Sequence, residues 1–238
     1  MCSAATLGIM RELTVVISGF DHYDDVDINP AYEVPKAIAE QGLGAPTGAD
    51  NPLGDVHVSI HAVQLPVSFA KAWPTLKGAI EATKPDIVIA TGLKHSARSV
   101  MLERCATNLM DAERPDADNV IPRRKPIDPH GPAAYWTRLP LRSILQDFTD
   151  DSIAASLSSD AGTFVCNSLF YNLLNWTATQ ERVLGGFVSF PPVRPAGVPQ
   201  SMTQHGLPLD QQIEAGRDVV REAVRYYLKP SSSDILIA

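Results

Sequence analysis

Asp160-Ala161-Gly162-Thr163-Phe164-Val165-Cys166-Asn167-Ser168-Leu169-Phe170-Tyr171 reads as a turn that launches an amphipathic helix with a cysteine in its first turn. Ile153 to Leu157 before it is a short apolar run that reads as a strand, and Val183 to Phe190 after it reads as the next strand. Strand, turn, helix and strand in succession imply parallel pairing with a crossover helix. The same alternation runs upstream. Leu13 to Ser18 is a buried-strand pattern ending at Gly19, and Asn29-Pro30 marks a helix entry. Val56 to Val67 is rich in β-branched residues, Ala70 to Thr83 has helical spacing stopped by Pro85, and Asp86 to Ala90 is apolar throughout before Thr91-Gly92. Asp210 to Leu228 is a long helix with Ile213, Val219, Val220, Val224 and Tyr227 as its apolar positions. The expected fold is α/β: a three-layer α/β/α sandwich around a mostly parallel, twisted sheet. In such sheets, sites form beyond the carboxyl ends of strands, where Gly19, Gly92 and Cys166 are expected to converge.

The bulk numbers bound the function. The chain has 238 residues, is 45% hydrophobic and carries a net charge of −7. That charge argues against non-specific nucleic-acid binding, which needs a basic face, and against an anionic membrane surface. No run approaches the roughly 20 apolar residues of a membrane span. Residues 1–12 read as a loose leader without a basic start, residues 13–229 as a single domain and residues 230–238 as a tail. Residues 108–131 are polar, proline-rich and aperiodic, which suggests a long surface arm. Three cysteines, Cys2, Cys105 and Cys166, give neither a disulfide framework nor zinc spacing, so a reduced, cytoplasmic setting is expected. No His/Asp/Glu cluster has ligand spacing, and no metal or cofactor is expected.

Cys166 is the chemical candidate. A helix N-terminus offers unpaired N–H groups and partial positive charge, which favour the nucleophilic thiolate. The plain alternative is a small buried hydrophobe. Glu103, between Leu102 and Arg104, reads on its own as a solvated strand residue or half of an ion pair with Arg104.

Residues 161–174, AGTFVCNSLFYNLL, resemble the nucleophile segment of the pyroglutamyl peptidases of type I, cysteine peptidases that remove an N-terminal pyroglutamate. Six further segments follow the family's order: residues 17–38 (ISGFDHYDDVDINPAYEVPKAI), LPVSFAKA at 65–72, PDIVIATGL at 85–93, residues 101–116, residues 125–140 and GGFVSFPPVRP at 185–195. PLDQQIEAGRDVV at 208–220 is similar to the last helix. The resemblance implies a phosphorylase/hydrolase-like fold, Cys166 as nucleophile and Glu103 as the acid that orients a general base. It places the family's catalytic histidine at position 189, where this chain has serine, a hydroxyl that cannot serve as acid–base near neutral pH. His22 and His95 are the histidines expected near the site as substitutes.

The resemblance also assigns the lactam pocket. Phe20 matches one ring-holding phenylalanine, Tyr23 stands for the second, Leu93 replaces an amide contact, and Phe164 and Val165 are walls. The expected partner is an N-terminal pyroglutamyl peptide or a related small lactam or amide. A homo-oligomer, dimer or tetramer, is the implied assembly. The alternative is a degenerate relative that binds a ligand or protein without turnover, because Ser189 replaces the histidine. A nucleoside phosphorylase-like activity lacks its glycine-rich phosphate loop here.

Overall fold

The structure, a computed structural model, describes residues 11–21, 26–44, 56–195, 197 and 205–236. Its elements run β1 (Arg11–Phe20), α1 (Pro30–Gln41), β2 (Val56–Leu65), α2 (Ala72–Thr83), β3 (Ile87–Leu93), β4 (Val100–Glu103), β5 (Cys105–Thr107) and β6 (Ala134–Trp136). They continue with α3 (Leu141–Asp150), β7 (Ala155–Ser158), α4 (Val165–Ala178), β8 (Leu184–Phe190) and α5 (Leu209–Leu228). The main sheet has the strand order β2-β1-β3-β8-β4-β7. All its pairings are parallel except β4 with β8, which is antiparallel. β5 and β6 form a separate small hairpin.

The strands are apolar on both faces, and the alternation sorts the core into two halves. Leu13, Val15 and Ile17 of β1, Ile87 and Ile89 of β3, and Val188 and Phe190 of β8 pack with α1, α3 and α5. Val16 and Phe20 of β1, Val88 and Ala90 of β3, and Phe187 of β8 pack on the other side with α2 and α4. Side chains of period two, buried on both faces, require this covering by helices. The expected three-layer sandwich is what forms.

Sequence periodicity missed some elements. α3 begins at Leu141 after a proline N-cap and carries no acidic residue in its first turn, so it lacks the usual start signals. Its buried positions are only Leu141, Ile144 and Phe148. β4, β5 and β6 are three or four residues each and too short for alternation to show. The tail is packed as far as it is described. Asp234 pairs with Arg225 at 3.1 Å, and its carbonyl accepts from the Arg142 and Ser143 amides, which are free donors at the start of α3.

Gly19 and Gly92 lie within the final turns of their strands, not after them as expected. Asn29 caps α1, its Oδ1 accepting from the Ala31 amide at 3.0 Å, while its Nδ2 donates to the Phe20 and Asp21 carbonyls at 3.1 Å each. One side chain thereby closes the base of the loop between β1 and α1. Thr91 Oγ1 lies 3.0 Å from both the Ser18 and Ala31 carbonyls, tying β3, β1 and α1 together. This closeness is possible only without a side chain at position 19. A Cβ there would stand 1.4 Å from the Ala31 carbonyl oxygen, which is backbone and cannot yield. Gly19→Ala is therefore expected to lower the melting temperature by several degrees, consistent with about 1–3 kcal/mol for overpacking. An unchanged melting curve would contradict the placement of α1 on β1.

Candidate active site

Cys166 occupies the second position of α4, as expected for the first turn. The helix carries no side-chain cap at Phe164. Buried side chains from Val165 to Leu174 hold it against the sheet. Sγ comes to rest over Gly92 near the carboxyl end of β3, where a Cβ would lie 2.9 Å from the sulfur and 2.8 Å from the Phe187 ring. Gly92 pairs in register with Ser189 of the neighbouring β8. Ser189 in turn donates to Glu103 Oε1 at 2.7 Å. Glu103 pairs with Phe187, two residues from Ser189 and on the same face of the antiparallel pair. The sulfur over β3, position 189 on β8 and the carboxylate on β4 thus follow one another across adjacent strands in the order a nucleophile, a base and its orienting acid would need.

Glu103 is fully buried, neither solvated nor paired with Arg104 as the isolated sequence suggested. Arg104 instead donates Nε to Ser159 Oγ at 2.7 Å. Burial raises the Glu103 carboxyl above its usual range, opposed by the Ser158 and Ser189 hydroxyls and the Lys94 charge. Its second oxygen, Oε2, is buried with no hydrogen-bond partner. A histidine at position 189 could supply a charged donor, where serine supplies one neutral hydroxyl.

The thiol departs from expectation. Cys166 is half-buried, and the pocket raises its pKa to about 12, first through desolvation and then through the Glu103 charge. Arg114, the residue's own amide and Lys94 act the other way but do not offset burial. The helix N-terminus therefore does not by itself produce a thiolate here. Among the described residues, the charged groups acting most strongly on the sulfur are Glu103, Arg114 and Lys94, and none of these is an imidazole.

The sequence-expected pocket residues divide. Phe20 and Val165 are core residues with 2% and 1% of their surface exposed, underlying the site rather than lining an open pocket. Phe164 is partly exposed, edge-on to Phe69 at 5.3 Å and covered by the Arg114 guanidinium at 5.0 Å. Leu93 and His95 line a cavity of about 540 Å³ with Val26, Asp27, Ile28 and Pro192, at the mouth of the first loop. His95 is exposed, and its carbonyl accepts from His205 Nε2 at 2.7 Å. His22 and Tyr23 lie outside the described residues.

Asn167 was not anticipated from sequence. Its buried amide accepts from the Thr107 N–H at 3.0 Å and donates to the Thr107 and Leu109 carbonyls at 2.9 and 3.0 Å. Thr163 Oγ1 donates to the Asp111 carbonyl at 2.6 Å. The residue after the cysteine and the turn before it therefore anchor the 108–131 arm, which brings Arg114 over Phe164. Only the unusual burial of an asparagine in a helix's first turn signals this role, and burial is not visible in sequence.

Among the described residues, the carboxylates close enough to share a cation are Asp151, Glu214 and Asp218. They lie on the α3/α5 side, and Arg221 already pairs with both Glu214 and Asp218. No described helix is long and apolar enough to cross a membrane.

The profile of the pyroglutamyl peptidase family matches residues 13–226. The chain belongs to the pyroglutamyl peptidase family. Among its relatives, the pyrrolidone-carboxylate peptidase of Bacillus subtilis (strain 168) is 36% identical over 213 residues, covering 89% of this chain and 93% of the relative. The crystal structure of Bacillus amyloliquefaciens pyroglutamyl peptidase I superposes with a TM-score of 0.78 at 31% identity, covering 94% of this chain and all of that one. The pyrrolidone carboxyl peptidase from Thermococcus litoralis gives 0.79 at 28% identity, covering 95% and 99%. These are cysteine peptidases of the same α/β fold, and the carboxyl-end rim around Gly92 is where this family member presents its one half-buried thiol among the described residues.

The raised thiol pKa has a direct readout. With a pKa of about 12, about one sulfur in ten thousand is ionised at pH 8, against about a quarter for an ordinary cysteine. Because the thiolate is the reactive form, iodoacetamide alkylation of Cys166 should climb close to tenfold per pH unit from pH 7 to 10 without levelling. A plateau reached by pH 8, followed by peptide mass spectrometry, would show an ionised sulfur and overturn this electrostatic picture.

Proposed function

We propose that this chain is a pyroglutamyl-peptidase-type cysteine hydrolase in which Cys166 attacks the carbonyl of an N-terminal pyroglutamyl residue or a related small lactam or amide. The observation that carries this reading is the placement of the sulfur over Gly92, one strand from Ser189 and two from Glu103. In the reaction, sulfur bonds to the carbonyl carbon, the C–N bond breaks and the amine leaves with a proton. Water then cleaves the thioester and releases the pyroglutamyl acid. The Cys166 amide, at a helix start, is the donor for the developing oxyanion. Leu93 and Phe164 frame the lactam side above the buried Phe20 and Val165, and Tyr23 is the second ring that the family resemblance assigns to it.

The missing imidazole is the rate-limiting defect of this site. The base must come from the rim, and His22 is the first choice. It follows β1 in sequence, and β1 is the direct neighbour of β3, which carries Gly92. His95, on the loop after β3, is the second. Glu103 then acts as a buried charge that becomes effective when an imidazolium forms beside it. The chain acts without metal or cofactor, as a cytoplasmic homo-oligomer.

One observation favours a second reading, that the chain binds a pyroglutamate-like ligand or a protein partner without turning it over. The Ser189–Glu103 hydrogen bond occupies one carboxylate oxygen internally, and a thiol raised to about 12 is a poor nucleophile. The two readings separate in one assay. With a pyroglutamyl-amide reporter, wild type is expected to turn over slowly and Cys166→Ala to fall to background. Ser189→His is expected to raise kcat by at least about 100-fold, the usual scale of general acid–base catalysis. Equal background rates in wild type and Cys166→Ala would leave the binding reading. No gain in Ser189→His would show that position 189 is not where the base belongs.

A further inference from the structure

One well-formed cavity lies away from Cys166. It measures about 570 Å³ and lies on the opposite side of the sheet, against the α3 and α5 layer. It opens near Leu184, the first residue of β8. Ser189 is five steps along the strand from Leu184, or roughly 16 Å at about 3.3 Å per step. The cavity is therefore distinct from the catalytic rim in both face and height.

Much of its lining is apolar. Leu139, Leu141, Leu184 and the tail residues Ile235 and Leu236 make the floor. Trp136, 55% exposed, forms an aromatic side wall, with the Arg104 guanidinium 5.9 Å from its ring centre. Three charged side chains also line it, Arg138 and the opposite pair Arg104 and Glu181. Neither takes part in a salt bridge, with the other or with any described residue. Arg104 uses Nε on Ser159, which leaves the NH1 and NH2 fork without a carboxylate. Arg138, by contrast, is committed to the Gln180 and Val183 carbonyls and holds the wall in place.

We infer that this cavity is a second binding site, for a zwitterion of amino-acid to dipeptide size that carries a large apolar side chain. An apolar pocket of this volume with a few convergent polar groups is the usual form of a small-molecule site. Arg104 receives the ligand carboxylate through its planar fork, the geometry guanidinium groups favour. Glu181 receives the ammonium. The side chain lies on the leucine floor beside Trp136, where burial of apolar and aromatic surface supplies the affinity. A neutral or singly charged ligand would leave one of the two charges unmatched, so both ionic ends are required for full affinity. Arg104 directly follows Glu103, and its amide donates to the Ser158 carbonyl at 2.7 Å, so an occupied cavity braces the strand end that carries the buried carboxylate.

Calorimetric titration of the intact protein tests this with four probes: L-leucyl-L-phenylalanine, L-phenylalanine, N-acetyl-L-phenylalanine and L-phenylalaninamide. Saturable binding of at least one zwitterion is expected, with affinity at least about tenfold weaker for both blocked compounds. Glu181→Gln and Trp136→Ala, both exposed positions, should each weaken the zwitterion by about tenfold. Cys166→Ala should bind as wild type does. No saturation by either zwitterion up to about 10 mM, a limit well into the millimolar range, would overturn the inference. So would unchanged affinity in Glu181→Gln, equal binding of the blocked compounds, or loss of binding in Cys166→Ala, which would move the ligand to the catalytic rim.

Discussion

The first turn of α4 bears on β3 at a position where only hydrogen fits. Gly92 leaves the space that the Cys166 sulfur fills, and the Phe187 ring closes it from below. From this contact follow the depth of the sulfur, its partial burial and its alignment with position 189 on the next strand. The same packing that fixes the nucleophile also strips it of water. Desolvation of a thiol favours its neutral form, and the helix terminus does not supply enough to reverse that here. A cysteine at such a point depends on a neighbouring cation to become a nucleophile.

The buried carboxylate has the complementary difficulty. Glu103 sits with one oxygen on a serine hydroxyl and the other without a partner. A buried charge in that condition is costly unless an opposite charge answers it. An imidazolium between sulfur and carboxylate would relieve both groups together, stabilising the thiolate on one side and the carboxylate on the other. Serine at 189 relieves neither fully. Serine at 189 holds one carboxylate oxygen without supplying that charge.

Most of the fold was legible because its strands are continuous apolar runs and its longer helices have clear stops. Asn29-Pro30 and Pro85 marked helix boundaries within a residue or two. The short strands β4 to β6 and helix α3 were not, because three or four residues carry no period and α3 lacks a start signal. At the site, Cys166, Glu103 and Ser189 were legible from a family pattern, and the geometry brings them together. The thiol's pKa was not legible, since it depends on how deeply neighbouring rings bury the sulfur. Nor was the role of Asn167, whose three hydrogen bonds reach residues sixty positions away. His95 was expected near the sulfur because its loop leaves the right strand; the residue is exposed and lines the cavity beside the first loop.

The most direct measurement of the account is the intact mass of the protein quenched in acid during reaction with an activated pyroglutamyl ester. Sulfur attack predicts one added pyroglutamoyl group, located by peptide mapping on Cys166 and absent from Cys166→Ala. A protein that hydrolyses the ester while Cys166 stays unmodified, or that carries the acyl group on another residue, would contradict it.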